Sequence, residues 1–389
     1  MTEYNTRVVV IGGGYAGVIA ANHLRMRPDV EITLVNPRPD FVERIRLHQL
    51  VTGSDDATVE YAQILGDGIR LVVDTATSIE TQARRVLLAD GTTLPYDYLI
   101  YAVGSGSAAA TVPGAAEFAY PIADLEQAQR LAAVFDELHY GAPVCVVGAG
   151  PTGIETAAEL AEQGRAVTLV GGTVLGPYLS TAGRRSVARR LRKLGVEIID
   201  GPGATVSAVA ADAVTLADGR HLPSALTIWT AGFGVPDLAT GSGLRTDAVG
   251  RLLTDETLTS VGDARIVAAG DAAAPSGQPL RMSCQAAIPL GAQAANTVLA
   301  RIAGTEPAVI NQAFTGQSIS LGRGAGTIQI ARTDDTVLPL YVGGRAGATI
   351  KEAVCKATIS FLRREARKPG SYFWIKGGKR PVPETATTR

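Results

Sequence analysis

Short runs of β-branched residues alternate with segments of helical period in the first half of the chain. Residues 7–11 form an apolar run that predicts a strand, residues 18–24 have helical period, and residues 31–35 form a second apolar run. The same order of strand, glycine turn, helix and strand recurs between residues 144 and 170. Uninterrupted apolar runs are typical of parallel strands covered on both faces. Each repeat therefore predicts one strand–helix–strand unit of a doubly wound α/β fold.

Shorter β-rich segments follow each unit. Predicted strands at residues 85–88 and 213–216 each precede an Asp-Gly pair, which is a strong signal for a tight hairpin turn. We therefore predict two Rossmann-like dinucleotide-binding domains, each with a small antiparallel insertion, and a small C-terminal α+β region. The predicted division is residues 1–123 and 244–310 for the first domain, 124–243 for the second, and 311–389 for the C-terminal region.

The composition narrows the class of protein. The chain has 389 residues with 36 basic and 37 acidic side chains, so nothing indicates a nucleic-acid partner. Its three cysteines are far apart, which argues against a disulfide framework, and no cluster with metal-ligand spacing is visible, so we expect no metal. No apolar stretch reaches the ~18–20 uninterrupted residues of a membrane-spanning helix, and the N-terminus does not resemble a signal peptide. We expect a cytoplasmic protein.

The first glycine turn has the spacing Gly12-x-Gly14-x-x-Gly17, directly after a predicted strand and at the start of a helix. In this context the first glycine permits a tight turn, the second admits a pyrophosphate, and the third allows close packing of helix and strand. The helix N-terminus adds unpaired N–H groups for the phosphates. Asn36 stands at the end of the next strand, where an acid commonly binds a ribose hydroxyl.

The second turn repeats the pattern as Gly148-x-Gly150-x-x-Gly153. Two such turns predict two dinucleotides, one resident as a cofactor and one arriving as a substrate. The strand after the second turn ends at Gly171 without an acid, so no charge there would repel a 2′-phosphate.

Arginines follow this strand end on the next predicted helix. Arg184 and Arg185 either reach a 2′-phosphate or belong to a solvated basic face. The sequence leaves the choice between NADH and NADPH open.

Two further segments complete a resemblance to the FAD-dependent pyridine nucleotide reductases. Residues 98–105 resemble the strand that precedes the nucleotide domain, with Val103 in place of the usual threonine, and residues 266–271 resemble the Gly-Asp strand that follows it. The resemblance implies a glutathione-reductase-like fold in which Asp271 hydrogen-bonds the ribityl chain of FAD. The FAD-binding residues that it implies are Gly12, Gly14, Tyr15, Ala16, Gly17, Asn36, Arg46, Val73, Ala102, Gly104, Gly270, Asp271, Gln285 and Ala286. Those implied for NAD(P)H are Gly148, Gly150, Pro151, Thr152, Gly153, Glu155, Gly171 and Gly232.

One segment separates the branches of this superfamily. Residues 40–50 occupy the place of the redox cysteine pair in the disulfide reductases, and they contain no cysteine. Residues 148–160, 279–291 and 320–329 instead resemble the type II NADH:quinone oxidoreductases and the apoptosis-inducing-factor-like ubiquinone reductases that suppress ferroptosis.

The second resemblance implies hydride transfer from NAD(P)H to N5 of FAD, followed by passage of two electrons to a quinone. It places Glu155 and Gln285 at the reacting rings as catalytic residues. A soluble reductase with another acceptor (a redox protein, a quinonoid metabolite or oxygen) and a redox-sensing flavoprotein remain alternatives. His48 either donates a proton to the acceptor or is a structural histidine.

The C-terminal region combines a predicted helix at residues 348–366 with a basic and aromatic segment. Ile350, Val354 and Phe361 recur at helical spacing, with Lys351 among the basic residues near them. Such a segment fits an amphipathic anchor at the inner face of a membrane. It equally fits a helix packed on its own domain, and a homodimer contact is a further alternative.

Overall fold

A computed structural model of the chain describes residues 6–108, 111–378 and 380. The strands of the described residues are β1 (Thr6–Ile11), β2 (Val30–Asn36), β3 (Asp40–Val42), β4 (Thr58–Glu60), β5 (Ile69–Val73), β6 (Ala76–Glu80), β7 (Arg85–Leu88), β8 (Thr93–Pro95), β9 (Tyr98–Tyr101), β10 (Gly106–Ser107), β11 (Ala119–Pro121), β12 (Pro143–Val147), β13 (Ala166–Gly172), β14 (Glu197–Asp200), β15 (Val206–Val209), β16 (Ala213–Leu216), β17 (His221–Pro223), β18 (Leu226–Trp229), β19 (Phe233–Gly234), β20 (Leu252–Thr254), β21 (Ile266–Ala268), β22 (Ala273–Pro275), β23 (Gly316–Ser320), β24 (Gly326–Ala331) and β25 (Val337–Gly343). The helices are α1 (Tyr15–Leu24), α2 (Leu47–Val51), α3 (Ala115–Phe118), α4 (Leu125–Glu137), α5 (Pro151–Glu162), α6 (Thr181–Lys193), α7 (Leu238–Gly241), α8 (Cys284–Ile302) and α9 (Gly344–Arg367), with short 3-10 turns at Arg44–Arg46, Tyr61–Gln63 and Gly270–Ala272.

The first domain is built on a parallel sheet in the order β21-β9-β1-β2-β5. Successive side chains of a strand point to opposite faces. Val8 and Val10 accordingly pack into one core with α1 and α8, while Val9 and Ile11 pack into another core with the antiparallel sheet β6-β7-β8. Burial on both faces explains the uninterrupted apolar run, and the predicted doubly wound unit is confirmed.

The second domain repeats this plan with the parallel sheet β11-β18-β12-β13-β14. Both predicted Asp-Gly turns connect antiparallel strands, β7 to β8 and β16 to β17. Strand β11 pairs with β18, so the second sheet already includes residues 119–121, a few positions before the predicted boundary at residue 124. The exact division of the domains stays a prediction.

Close helix packing brings the start of α8 to the first glycine turn. A Cβ added to Gly291 on α8 would stand 2.2 Å from the carbonyl oxygen of Ala16 on α1, so only glycine permits this approach. Ser283 caps α8, and its Oγ accepts a hydrogen bond from the Ala286 N–H at 3.3 Å. These contacts position the N-terminus of α8 over the turn.

The C-terminal region consists of the antiparallel sheet β23-β24-β25 and the helix α9. Helix α9 is longer than the predicted residues 348–366, and it packs against α1. The fully buried Glu365 carboxylate lies 2.6 Å from His23 Nδ1 on α1 and also accepts the backbone N–H of Tyr372 at 2.7 Å. This buried contact holds α9 and the segment after it against the first domain.

Candidate functional site

The first glycine turn has a separate packing reason for each glycine. Gly12 adopts a φ of +100°, and a Cβ there would stand 2.3 Å from the carbonyl oxygen of Ala102. A Cβ on Gly17 would stand 1.8 Å from the carbonyl oxygen of Gly12. A Cβ on Gly14 would have no described protein atom within 4 Å. The turn therefore leaves the backbone of Gly14 accessible, which fits a phosphate group at the N-terminus of α1.

The backbone of this turn is fixed by two side chains. Asn36 Oδ1 accepts the Gly13 N–H at 2.9 Å, and the Tyr61 hydroxyl donates to the Gly13 carbonyl at 2.8 Å. Asn36 is 8% exposed. Its predicted hydrogen bond to a ribose hydroxyl stays a prediction. Val73 is paired with Asn36 in the sheet register and is half exposed. Sequence reasoning missed Tyr61, which follows a short strand and has no motif around it.

Asp271 lies where the last strand of the first sheet ends. Gly270 precedes it with a φ of +70°, and a Cβ there would stand 3.1 Å from Cβ of Ala16. One Asp271 oxygen accepts the Ser105 hydroxyl at 2.7 Å and lies 3.6 Å from the Arg44 guanidinium. Ser105 and Arg44 are thus additional polar residues of this site. Ser105 directly follows the predicted Gly104, so its place beside that motif could have identified it.

The predicted residues at the helix starts are brought to the same place. Tyr15 begins α1, is buried, and packs edge to face on Phe41 with 5.0 Å between ring centroids. On α8, the side-chain amide of Gln285 lies 2.6 Å from the hydroxyl of Thr315, at the start of the C-terminal region. Ala286 is 2% exposed.

Arg46 has a position that the sequence did not predict. It is buried, and its guanidinium lies 3.1 Å from Glu352 of α9, 3.4 Å from Glu43 and 3.5 Å from Asp55. The nearby carboxylates neutralise this buried cation. Its predicted contact with FAD stays a prediction, whereas its visible role is to connect the first domain to α9.

The second glycine turn reproduces the first. Gly148 has a φ of +106°, and a Cβ on Gly153 would stand 1.7 Å from the Gly148 carbonyl oxygen. A Cβ on Gly150 would have no described protein atom within 4 Å, as at Gly14. Thr230 donates its hydroxyl to the carbonyl of Gly148 at 3.0 Å. The second turn therefore offers the same accessible backbone at the start of α5.

The other residues predicted for the nucleotide surround this turn. Pro151 and Thr152 form the first turn of α5, where proline costs no hydrogen bond. Gly171 lies near the end of β13, and a Cβ there would stand 3.2 Å from Cβ of Ala149 within the turn. Gly232 has a φ of +84°, in the segment that connects β18 to β19.

Glu155 of α5 is the centre of a buried cluster of charged residues. It is 6% exposed, and Oε1 accepts the backbone N–H of Ser320 at 2.9 Å. The same oxygen lies 3.0 Å from Nζ of Lys351, on α9. The other oxygen lies 4.0 Å from Nδ1 of His48, on α2. Four separate segments of the chain therefore meet at one carboxylate.

The charges of this cluster follow from burial and pairing. Burial alone raises the pKa of Glu155, but Lys351, His48 and the Ser320 N–H outweigh it and hold the pKa below its usual value. Burial lowers the pKa of Lys351, and the attraction of Glu155 more than reverses this. Burial lowers the pKa of His48 to about 4, so its imidazole is neutral near pH 7. The cluster is an ion pair beside a neutral imidazole.

The sequence pattern places Lys351 only among the basic residues of an amphipathic helix and indicates no contact with Glu155. This lysine lies on the buried side of α9, where the spacing of polar and apolar letters gives no hint of a carboxylate on α5. Within the described residues, Tyr15 Oη, His48 Nε2 and Ser320 Oγ are buried without a hydrogen-bond partner. Buried polar atoms are normally paired, so these atoms fit a site that receives a polar ring system such as a flavin.

Comparisons with known proteins agree with this geometry. The sequence pattern of the family described as pyridine nucleotide-disulphide oxidoreductase matches residues 6–291. The chain belongs to this family. It is 32% identical over 324 residues to an NADH dehydrogenase-like protein of Mycobacterium tuberculosis, covering 76% of this chain and 80% of that protein. It is 30% identical over 348 residues to the type II NADH:quinone oxidoreductase Ndh of the same organism, covering 78% and 74%.

A solved structure gives the same result for the fold. The sulfide:quinone oxidoreductase of Aquifex aeolicus superposes with a TM-score of 0.81 at 22% identity, covering 94% of this chain and 93% of that one. The predicted two-dinucleotide fold is confirmed, and family membership makes the chain an NAD(P)H-dependent flavoprotein oxidoreductase. Within the described residues, every helix is too short or too polar to cross a membrane.

Proposed function

We propose that this chain binds FAD on its first glycine turn and NAD(P)H on its second, and passes electrons from NAD(P)H to a quinone. The observation that carries the proposal is the buried cluster of Glu155, Lys351 and His48. In disulfide reductases the segment at residues 40–50 provides a cysteine pair, whereas here it provides His48 beside a buried ion pair. Cys145, Cys284 and Cys355 are all unpaired. An acceptor that is not a disulfide fits these residues.

The residues of the chain have distinct parts in the proposed reaction. Bound FAD would supply the ring that takes up a hydride from NAD(P)H and releases two electrons. The accessible backbone at Gly14 and the carboxylate of Asp271 would hold the pyrophosphate and ribityl groups. The Glu155–Lys351 pair keeps one positive and one negative charge fixed in a buried site. Because the pKa of Lys351 is raised and that of Glu155 is lowered, the pair keeps both charges near neutral pH and would orient the bound rings rather than supply the protons that quinone reduction requires.

An exposed apolar surface on the C-terminal region supports the proposal that the acceptor is a quinone dissolved in a membrane. Helix α9 buries the stripe that contains Lys351 and Leu362 and exposes the opposite stripe. The large apolar side chains that are more than a third exposed in this region are Val337, Leu340, Tyr341, Val342, Ile350, Val354, Phe361, Phe373 and Ile375. Exposed apolar patches of this kind mark interaction sites, and nearby basic residues such as Lys356 favour an anionic lipid surface. We propose that this surface contacts the membrane.

Stopped-flow spectroscopy of the anaerobic holoprotein tests the redox function. We expect NADH or NADPH to bleach the flavin absorbance and a short-chain ubiquinone or menaquinone to restore it. Glu155→Gln should retain FAD and slow both half-reactions, whereas Glu197→Gln, on the exposed face of β14, should change neither. If the reduced flavin is reoxidised by oxygen or a ferredoxin but not by any quinone, the acceptor that we propose is wrong.

Sedimentation with vesicles of anionic phospholipid tests the membrane contact. The double variant Ile350→Asp/Val354→Asp should stay in the supernatant, because two exposed apolar side chains of the proposed contact are replaced by charges that an anionic lipid surface repels. Val249 has a similar exposure of 39% away from this surface, so Val249→Asp is the matched control. Equal sedimentation of both variants would contradict the membrane contact. A change from dimer to monomer in the double variant alone would assign the surface to a homodimer.

A further inference from the structure

A groove rich in arginine lies on the outer face of α6. Its volume is about 500 Å³, and it runs between this helix and the edge strand β14. The groove is lined by Leu175, Arg184, Arg185, Ala188, Arg189, Arg192, Ile198 and Asp200. Four cations and one carboxylate make this surface strongly positive. No residue of the proposed flavin site or of the buried cluster contributes to it.

Contacts within the second domain connect this groove to the second glycine turn. A Cβ added to Gly171, near the end of β13, would stand 3.2 Å from the Cβ atoms of both Ala149 and Asp200. Ala149 belongs to the turn, and Asp200 lines the groove. The carbonyl of Ala149 also accepts the N–H of Gly176 at 2.9 Å, next to the lining residue Leu175. The groove therefore begins at the strand end where a Rossmann domain binds the ribose of adenosine.

The cations of the groove are available to a ligand. Arg185, Arg189 and Arg192 are exposed, and no carboxylate of the described residues lies within 4 Å of their charged nitrogens. Arg190 points away from the groove and is paired with Glu162 at 3.1 Å. The unpaired cations thus cluster on one helix face.

Arg184 differs from its neighbours because the chain holds it in place. Its guanidinium donates to the carbonyls of Leu175 at 2.7 Å and Leu179 at 3.2 Å, which leaves other N–H groups of the fork unused. The single acid of the lining, Asp200, already accepts the Leu175 N–H at 3.0 Å. A guanidinium held in place beside exposed, unpaired ones is suited to a phosphomonoester, which arginine binds through paired hydrogen bonds.

We propose that this groove binds the 2′-phosphate of NADPH through Arg184, Arg185 and Arg189, and that the protein selects NADPH over NADH. The inference rests on the proposed function, because it assigns the nicotinamide nucleotide to the second turn. An acid at the strand end would accept a ribose hydroxyl and repel a phosphate. Gly171 and Gly172 supply no such acid, and the groove supplies the opposite charge.

Calorimetry of the holoprotein tests the groove without any turnover. We expect 2′,5′-ADP to bind at least about tenfold more tightly than 5′-AMP, since a phosphate that gains two charge-assisted hydrogen bonds gains at least that factor. Arg185→Ala/Arg189→Ala should abolish the difference and leave the affinity for 5′-AMP unchanged. Lys193→Ala removes an exposed cation of the same helix that does not line the groove, and it should retain the wild-type ratio.

Stopped-flow flavin reduction gives the second measurement. The apparent affinity should favour NADPH over NADH in the wild type and in Lys193→Ala, and the preference should disappear in the double variant through weaker NADPH binding alone. Equal binding of 2′,5′-ADP and 5′-AMP by the wild type would overturn the proposal. A double variant whose affinity for NADH falls as much as its affinity for NADPH would also overturn it. So would a double variant that keeps its nucleotide preference and loses only its sedimentation with anionic vesicles. If neither nucleotide bleaches the flavin, the proposed function fails, and the calorimetric ratio still decides the phosphate site.

Discussion

Replacing Lys351 by methionine removes the cation of the buried pair while keeping most of the length and packing of the side chain. The distance of 3.0 Å between Nζ and Glu155 Oε1 corresponds to about 5 kcal/mol of attraction at an effective dielectric constant of about 20. Removing one partner of a buried pair commonly costs about 3–5 kcal/mol, because the other charge stays buried alone. We therefore expect Lys351→Met to lower the free energy of unfolding by about 3–5 kcal/mol near neutral pH.

The loss of unfolding free energy caused by Lys351→Met should increase as the pH rises. In the wild type the pKa of Glu155 is lowered, so the carboxylate contributes stability above its unfolded pKa of about 4.3 and loses it only below that value. In Lys351→Met the burial of Glu155 is no longer opposed by an ammonium, so its pKa rises. The penalty of the variant is then largest near pH 8 and shrinks toward pH 5 as Glu155 takes up a proton.

Urea denaturation of the holoprotein between about pH 5 and pH 8 measures both quantities. Lys356→Met is the matched control, because Lys356 lies on the same helix with its side chain 72% exposed and pairs with Glu352 at 3.5 Å. An exposed pair of this kind contributes about 0.5 kcal/mol. Glu155→Gln/Lys351→Met removes both charges and should recover most of the loss. A cost for Lys351→Met that equals the control, or that does not change with pH, would refute the reasoning.

Four further substitutions test other parts of the site. Gly17→Ala should lower the melting temperature of the apoprotein, because its Cβ would stand 1.8 Å from a carbonyl oxygen. Gly14→Ala should keep the melting temperature of the apoprotein and lose FAD, measured by the ratio of flavin to protein absorbance. Gly150→Ala should keep FAD and weaken NAD(P)H binding at least about tenfold in flavin reduction, since its Cβ meets no described protein atom but faces the proposed pyrophosphate. His48 has a pKa lowered to about 4, so the wild type loses stability as the pH falls below the unfolded pKa. His48→Gln should remove about 2 kcal/mol of that loss near pH 5 in thermal melts, and equal pH profiles of the two proteins would contradict the buried neutral imidazole.

The features that the sequence predicted are those whose cause is local. A tight turn, a close helix–strand approach and a phosphate cradle each require glycine at a fixed spacing, so Gly12, Gly14 and Gly17 could be interpreted without any tertiary contact. Strands β1 and β12 were predictable for a similar reason, because burial on both faces requires apolar residues at every position.

The features that the sequence did not predict depend on contacts between distant segments. Glu155 and Lys351 meet because α9 returns to the interface of the two domains, and no periodicity in either helix encodes that contact. The helical spacing of Ile350 and Val354 looks like a stripe for the core, yet both side chains are exposed. The pattern identified an amphipathic helix correctly, but two sides of α9 carry apolar residues, and only the fold decides which side is buried.

These two sides of α9 also determine how the C-terminal region should be studied. Lys351 on one side neutralises the buried Glu155, while Ile350, its neighbour in sequence, is exposed on the other side. Deleting the helix would remove the proposed membrane surface, but it would also leave Glu155 buried without its cation and Arg46 without Glu352. A truncated protein that loses activity therefore says nothing about the membrane, because the same truncation disrupts the charges of the site. Point substitutions on the exposed side leave both ion pairs intact, so they alone can separate membrane contact from the chemistry at Glu155.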